Sequence, residues 1–240
     1  MRHIRNPNPT SGRTRLRFEK IVMKRERQSL VVSLAALWLL AAPARADMYG
    51  FTAITSNSPL RHDVAEQLSL EVTGYAGDQV LFTFANAGAI ASSITDVYFD
   101  DGALLHLADI INTPGVVFQE LATPSNLPGG AALDTPFLVT EGFSADSQQP
   151  VPVNGVNPGE SLGIVFDLQE GKALADVLAA IQLGFTNPAD DGSLRIGIHV
   201  QQIGGSGGTS DSFIAVPVAP AVLLGVLGFA VAGLKLRKYV

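Results

Sequence analysis

The run SLRIGIHVQ, residues 193–201, alternates apolar and polar side chains more regularly than any other part of the chain. Its two kinds of residue face opposite sides, because successive side chains of a β-strand point to opposite faces. The apolar set is Leu194, Ile196, Ile198 and Val200, and the polar set is Arg195, His199 and Gln201. Turn residues bound the run, DDG at 190–192 and GGSGG at 204–208. Residues 193–201 are therefore predicted to form a half-buried β-strand.

Shorter runs with the same alternation precede this strand. They cover residues 67–73, 80–84, 93–99, 115–118 and 162–168, the last after an NPG turn at 157–159. Residues 172–182 differ, because their apolar side chains recur at the helical spacing i, i+3, i+4 and i+7. The pattern predicts a mainly β fold, an antiparallel β-sandwich (jelly-roll-like) with one short amphipathic helix. A closed barrel is the alternative.

Charge divides the chain into three parts. Residues 1–46 hold ten basic and two acidic residues, residues 47–215 hold three and twenty, and residues 216–240 hold three and none. The formal charges of the parts are +8, −17 and +3, within a net charge of −6 for all 240 residues. The central part would repel phosphate backbones, which excludes nucleic acid as a partner. Because the chain has no cysteine, disulfides, thiolate zinc sites and cysteine nucleophiles are excluded.

The first part has the order of a secretory signal. Basic residues at 24–27 precede an apolar run at 30–42, and Ala44 and Ala46 then form a small-x-small cleavage pattern. Residues 1–46 are therefore predicted to be an extension and a signal helix, removed by signal peptidase before Asp47. The chain starts at either Met1 or Met23, because the polar stretch before Met23 does not belong to an ordinary signal.

The last part has the order of a membrane segment. Residues 216–234 carry no charge, and Lys235, Arg237 and Lys238 follow them. About 20 apolar residues in a helix cross the hydrocarbon core of a bilayer. The basic residues after the run favour a cytoplasmic end. We expect a transmembrane helix over residues 216–234, with an exported domain at 47–215 before it.

The same tail resembles the PEP-CTERM sorting signal. The resemblance rests on Val216, Pro217 and Pro220, on the Gly- and Leu-rich run that follows, and on the basic cluster Lys235, Arg237 and Lys238. The resemblance implies an exosortase-like processing enzyme as a partner, which would remove the tail. The protein would then lie on the outer face of the cytoplasmic membrane before processing, and at the cell surface or outside the cell afterwards. Because the tail lacks the central Glu of that signal, a plain C-terminal anchor is the alternative.

Two clusters of aspartates offer oxygen ligands of the kind that Ca²⁺ prefers. The candidate ligands are Asp96, Asp100 and Asp101 in one cluster and Asp190 and Asp191 in the other. Each Asp-Asp-Gly is also an ordinary turn composition, and neither cluster matches the EF-hand pattern. Turns are therefore the favoured interpretation, calcium binding is the weaker one, and no other cofactor is expected.

The sequence carries no motif that predicts catalysis. His62, His106 and His199 lack zinc-ligand spacing, so each is expected to face solvent. Ser161 lies in GESLG, which matches G-x-S-x-G, but a predicted strand follows it, where a nucleophile elbow requires a helix. No catalytic residue is assigned, and the protein is expected not to be an enzyme.

Together these features predict an exported, surface-associated protein with a structural or adhesive role in the envelope or extracellular polymer layer. Extracellular polysaccharide is the expected material around it. The first alternative is a glycan- or calcium-binding module, and a secreted hydrolase is a weaker one. Because Trp38 lies in the predicted signal, the predicted mature chain has no tryptophan on which a sugar could stack.

Overall fold

The computed structural model describes residues 47–101 and 105–218, and this part of the chain forms ten β-strands. The strands are β1 (Asp47–Ala53), β2 (Leu68–Gly74), β3 (Gln79–Asn86), β4 (Ser93–Asp101), β5 (Leu105–Asn112), β6 (Phe118–Glu120), β7 (Ser144–Ser147), β8 (Ser161–Leu168), β9 (Leu194–Ile203) and β10 (Thr209–Pro217). The helices in this part of the chain are α1 (Arg61–Gln67), α2 (Val151–Asn154), α3 (Leu174–Thr186) and a 3₁₀ turn (Gly130–Ala132). The mainly β fold with an amphipathic helix after residue 172 is thus confirmed.

One prediction about the strands is wrong. Residues 115–117 lie in a turn and in extended chain, and β6 begins only at Phe118. Gly115 has a φ of 95°, a left-handed conformation that glycine adopts without strain. No strand was predicted at the positions of β1, β5, β7 or β10.

All ten strands form one antiparallel sheet in the order β5-β8-β3-β2-β1-β10-β9-β4-β7-β6. The sheet curls until its halves face each other, so that it is nearly a barrel. Phe99 on β4 meets Phe82 on β3 and Phe166 on β8, with ring centroids 5.1 and 4.7 Å apart. The halves belong to one continuous sheet, because β1 and β10 lie between them and pair with each other.

The two edge strands are linked through one side-chain amide. Asn112, at the end of β5, donates from Nδ2 to the carbonyl of Phe118 at 3.2 Å and accepts from the Phe118 N–H at 2.8 Å. The amide thus provides the donor and acceptor that a neighbouring peptide group would provide, and it brings β5 close to β6. This contact satisfies two backbone groups at an edge where strand pairing ends.

A long connection covers part of the sheet's outer face. We call this connection, residues 121–143 between β6 and β7, the strap. Leu127 and Phe137 of the strap pack on Tyr98 of β4 in a small apolar cluster of their own. A Cβ at Gly197 of β9 would lie 2.6 Å from Leu127 Cδ2 and 3.3 Å from Phe137 Cζ. The missing side chain at Gly197 therefore lets the strap lie against the sheet.

The predicted targeting segments fall mostly outside the described residues. Residues 1–46, with Ala44 and Ala46, lie outside them, as do Pro220, Lys235, Arg237 and Lys238. Within residues 47–101 and 105–218, no helix is long and apolar enough to cross a membrane. Val216 and Pro217 are the last residues of β10, where they pair with Gly50 and Tyr49. The boundary expected between residues 215 and 216 therefore falls inside a strand, and the chain is not helical at 216 and 217.

Candidate functional site

The first aspartate cluster is engaged by the protein itself. The carboxylate of Asp100 pairs with the guanidinium of Arg195 and accepts the Leu138 N–H at 3.0 Å. Arg195 also donates to the Thr135 carbonyl at 2.9 Å and lies 5.2 Å from the ring centroid of Phe137. These contacts fasten the strap to β4 and β9, so Asp100 has a structural role that the sequence did not indicate.

The second cluster forms a turn. Asp190 Oδ1 accepts the Gly192 N–H at 3.0 Å, and the Asp190 carbonyl accepts the Ser193 N–H at 2.9 Å. Asp191 is exposed, and Asp101 pairs through its backbone with Leu194. The turn expected before β9 is therefore confirmed. Nowhere in the described part of the chain do three His, Asp or Glu residues converge well enough to hold a metal ion, so the structure adds no support to calcium binding.

A third group of polar residues, which the sequence did not indicate, lies in one row across β9, β4 and β7. His199 pairs in register with Asp96, and Asp96 pairs with Asp146. His199 Nδ1 lies 3.0 Å from Asp96 Oδ2, and Thr95 Oγ1 donates to the same oxygen at 2.8 Å. Asp96 is only 2% exposed. The prediction that His199 faces solvent is thus wrong, whereas His62 on α1 and His106 on β5 are exposed as expected.

Burial and mutual repulsion make this row electrostatically unusual. Burial, followed by the charge of Asp96 and a hydrogen bond between the two carboxyl groups, raises the pKa of Asp146 to about 6, although the hydrogen bond from the Thr123 backbone opposes this shift. Burial and the two nearby carboxylates also raise the pKa of Tyr98, whose hydroxyl donates to the Pro124 carbonyl at 2.9 Å. Through Thr123 and Pro124, Asp146 and Tyr98 hold the beginning of the strap. The Asp100–Arg195 pair holds its later part.

The row continues onto β10 in an order that invites comparison with a serine hydrolase. Ser212 pairs in register with His199, so Ser212, His199 and Asp96 lie side by side. In a catalytic triad the serine hydroxyl is hydrogen-bonded to the histidine and open to substrate. Ser212 is 1% exposed and its Oγ has no hydrogen-bond partner. Ser161, the other candidate, is the first residue of β8, as the turn-to-strand interpretation predicted. Ser212 therefore lacks both the hydrogen bond to histidine and the exposure that an activated nucleophile needs.

A buried aspartate fixes the loop between β1 and α1. Asp211 of β10 accepts hydrogen bonds from Thr55 Oγ1 at 2.7 Å and from the N–H groups of Asn57 and Ser58 at 2.8 Å each. A carboxylate with several donors satisfies loop N–H groups that would otherwise be buried without partners. Asp211 thereby holds α1 beside β1 and β10.

The first and last strands bring the two ends of the described domain together. β1 and β10 are antiparallel neighbours with Tyr49 opposite Pro217, so the start of β1 and the end of β10 lie at the same end of the sheet. Two cavities flank that end. One of about 910 Å³ lies between α1, β1 and Val218, and one of about 390 Å³ lies between the strap, α3 and β10. We call the larger cavity the β1 groove.

The remaining described surface offers little for sugar stacking. Among the residues that the structure describes, Tyr75 is the one aromatic residue in the set of exposed large apolar side chains, at 46%. A glycan site built on stacking usually needs an aromatic platform. The alternative of a glycan-binding module therefore gains no support from this surface.

Comparison with known proteins identifies no relative. No protein-family model, no curated protein and no solved structure matches the chain. The interpretation therefore depends on the residues and their geometry.

Proposed function

We propose that the protein is an exported, non-enzymatic surface protein that is held or sorted through its PEP-CTERM-like tail and has a structural or adhesive role in the envelope or extracellular polymer layer. The observation that carries this proposal is the pairing of β1 with β10. The signal would end just before β1 and the tail would begin just after β10. The two segments would therefore join the domain at neighbouring points on the same end of the sheet. One end of the sheet would then face the membrane, and the rest of the domain would extend away from it.

The charge distribution supports the same placement. The domain carries twenty acidic residues and three basic ones between 47 and 215, so it is repelled by anionic lipid head groups. The domain is therefore not expected to lie flat on a bilayer surface, and the tail supplies the membrane affinity. A high net negative charge also keeps an exported domain soluble.

We further propose that the curled sheet is a jelly-roll-like sandwich. Three pairs of strands are nested, β4 with β9, β5 with β8 and β6 with β7, as when a long hairpin is rolled up. β2 and β1 would then be additions that connect β3 to β10. Such a scaffold presents two broad faces, which suits a structural or adhesive role.

Export and anchoring are tested by expressing the full chain in a bacterial host and analysing the product by mass spectrometry and fractionation. We expect an N-terminus at Asp47 and a protein that is accessible to external protease and associated with the membrane. Leu224→Arg places a charge in the apolar run, at a cost of about 2.5–3.5 kcal/mol for membrane insertion, and should release the protein; Leu224→Ile is the matched control. A product that keeps Met1 or Met23 and stays in the cytoplasm would contradict export.

Processing and role need separate measurements. In a host with an exosortase-like enzyme, we expect a C-terminus near Pro220, whereas an intact Val240 would leave the plain anchor.

The structural or adhesive role predicts that cells producing the protein retain more extracellular polymer than cells producing Leu224→Arg. Equal retention by the two would argue against that role.

A further inference from the structure

The floor of the β1 groove includes a glycine, Gly50, that the fold itself does not require. Gly50 lies in the middle of β1, and its φ is not positive. A Cβ built there would meet only Val218 Cγ1, at 3.7 Å, which is an ordinary contact. Neither backbone conformation nor crowding therefore demands glycine at this position. A glycine inside a strand often marks a place where another chain segment or a ligand approaches the backbone.

The groove presents an apolar surface along β1. Met48 is 40% exposed and faces the groove beside Gly50, and Ala65 of α1 and Leu68 of β2 add apolar lining. Exposed methionine is a flexible apolar contact that adapts to different partners. The polar side chains in the lining include His62 and Glu66, both on α1. The groove therefore suits an apolar segment with little sequence specificity.

The chain itself supplies such a segment at the mouth of the groove. Val216, Pro217 and Val218 line the groove, and residues 219–234, which follow directly, carry no charge. A segment attached without a linker has an effective concentration of about millimolar or more, so even weak contacts are occupied. Apolar surface that leaves water when the segment docks stabilises the docked state.

We propose that, in the absence of a membrane, residues 219–234 fold back along β1 and pack in the β1 groove. The occupied groove shields the apolar tail between synthesis and membrane insertion. This step goes beyond the proposed function, because it concerns the same tail before it is anchored or processed and requires neither event.

The absence of cysteine from the chain allows a direct test by disulfide trapping. Met48→Cys is combined in turn with Val222→Cys, Leu224→Cys or Leu227→Cys in the full chain, which is synthesised without membranes. Val153→Cys replaces Met48→Cys as the matched control, because Val153 is 64% exposed and lies on α2, which packs against β4 and β7. We expect an intramolecular disulfide for at least one pair with Met48→Cys, in about tenfold higher yield than with Val153→Cys, as proximity raises effective concentration.

Filling the groove floor tests the same contact in another way. Gly50→Val should lower the disulfide yield without lowering the melting temperature, because a Cβ at this position makes only an ordinary contact and valine favours strands. Gly50→Ala, which fits at ordinary contact distance, serves as the milder variant if valine impairs folding. Equal yields with Met48→Cys and Val153→Cys, or no disulfide, would overturn the proposal. A disulfide that forms only between two molecules would also overturn it, in favour of a second copy as the occupant.

Lipid vesicles separate this proposal from the proposed function. When vesicles are added during synthesis, the trapped disulfide should be lost as the tail enters the bilayer. A disulfide that forms without vesicles and persists with them supports docking and contradicts membrane insertion of the tail. A tail that enters vesicles but gives no disulfide in their absence supports the anchor and contradicts docking.

Discussion

The alternation of apolar and polar residues in β9 predicts the burial of its inner face correctly, but not that of its outer face. The inner face (Leu194, Ile196, Ile198 and Val200) is buried in the main core, as the alternation predicts. The outer face was expected to meet solvent, yet Gly197 lies under the strap, Arg195 is clamped to it, and His199 is held by Asp96. Alternation identifies the face that must be buried, but it does not show that a distant segment also covers the polar face.

The largest effect is expected from the core that the inner face helps to form. Phe99 of β4 contacts the rings of Phe82, Phe84 and Phe166, which belong to the opposite half of the sheet. Phe99→Ala should lower the free energy of unfolding by about 3–5 kcal/mol, since it leaves a cavity between the halves. Urea denaturation measures the loss. A loss no larger than that of a surface substitution would show that the two halves do not depend on this contact.

A smaller effect is expected where the strap rests on the outer face. Gly197→Val would collide with Leu127 and with Phe137, at a cost of about 1–3 kcal/mol from overpacking. We expect the strap to become sensitive to limited proteolysis while the strands stay protected. The matched control is Gly50→Val, which introduces the same side chain on a strand where there is space. Equal protease sensitivity in the two variants would mean that the strap does not depend on contact with Gly197.

The smallest effect concerns the charges beneath the strap. Because the folded-state pKa of Asp146 is about 6 instead of 3.8, the folded protein binds this proton more tightly than the unfolded chain. The contribution of Asp146 to stability is therefore present at low pH and is lost as the pH rises from about 4 through 6. Asp146→Asn should raise the melting temperature at pH 7.5, by roughly a few degrees, and the gain should be much smaller at pH 4.5.

The control for this prediction removes a carboxylate elsewhere on the surface. Glu71→Gln alters an acid on β2, which does not neighbour β7 in the sheet, and should show no pH-dependent gain. Asp96 and Tyr98 interact electrostatically with Asp146, and His199 pairs with Asp96. A gain for Asp146→Asn that is the same at both pH values would show that the effect is one of packing and not of proton binding.

The sequence was most informative where a pattern is local. The alternation of β8 and β9, the spacing of α3 and the Asp190 turn are all read within about ten residues. β10 was missed because its apolar residues run without a break into the uncharged tail, so that Val216 and Pro217 were grouped with that tail. β1 contains a glycine at position 50 and directly follows the predicted signal, and no alternation was assigned to it.

The polar row was missed for a different reason. Asp96, Asp146 and His199 become neighbours only through the registers of β7 and β9 on β4, and no spacing in the sequence encodes those registers. Their burial depends in addition on the strap, which the sequence shows only as a stretch rich in Pro and Gly between predicted strands. The sequence shows that these residues are acidic or basic, but it does not show that they lie next to one another.

The pairing of the first strand with the last has a consequence for how the chain folds. Thr55 and Asp211, which join the end of β1 to β10, are 156 positions apart in the sequence. Contacts between such distant positions form slowly, because a long loop must close before they contribute. β1 cannot complete its pairing until residues 209–217 have been synthesised, so a nascent chain lacks the contact that joins the two halves of the sheet. If the chain is exported as proposed above, this delay favours passage through the membrane before the sheet is complete.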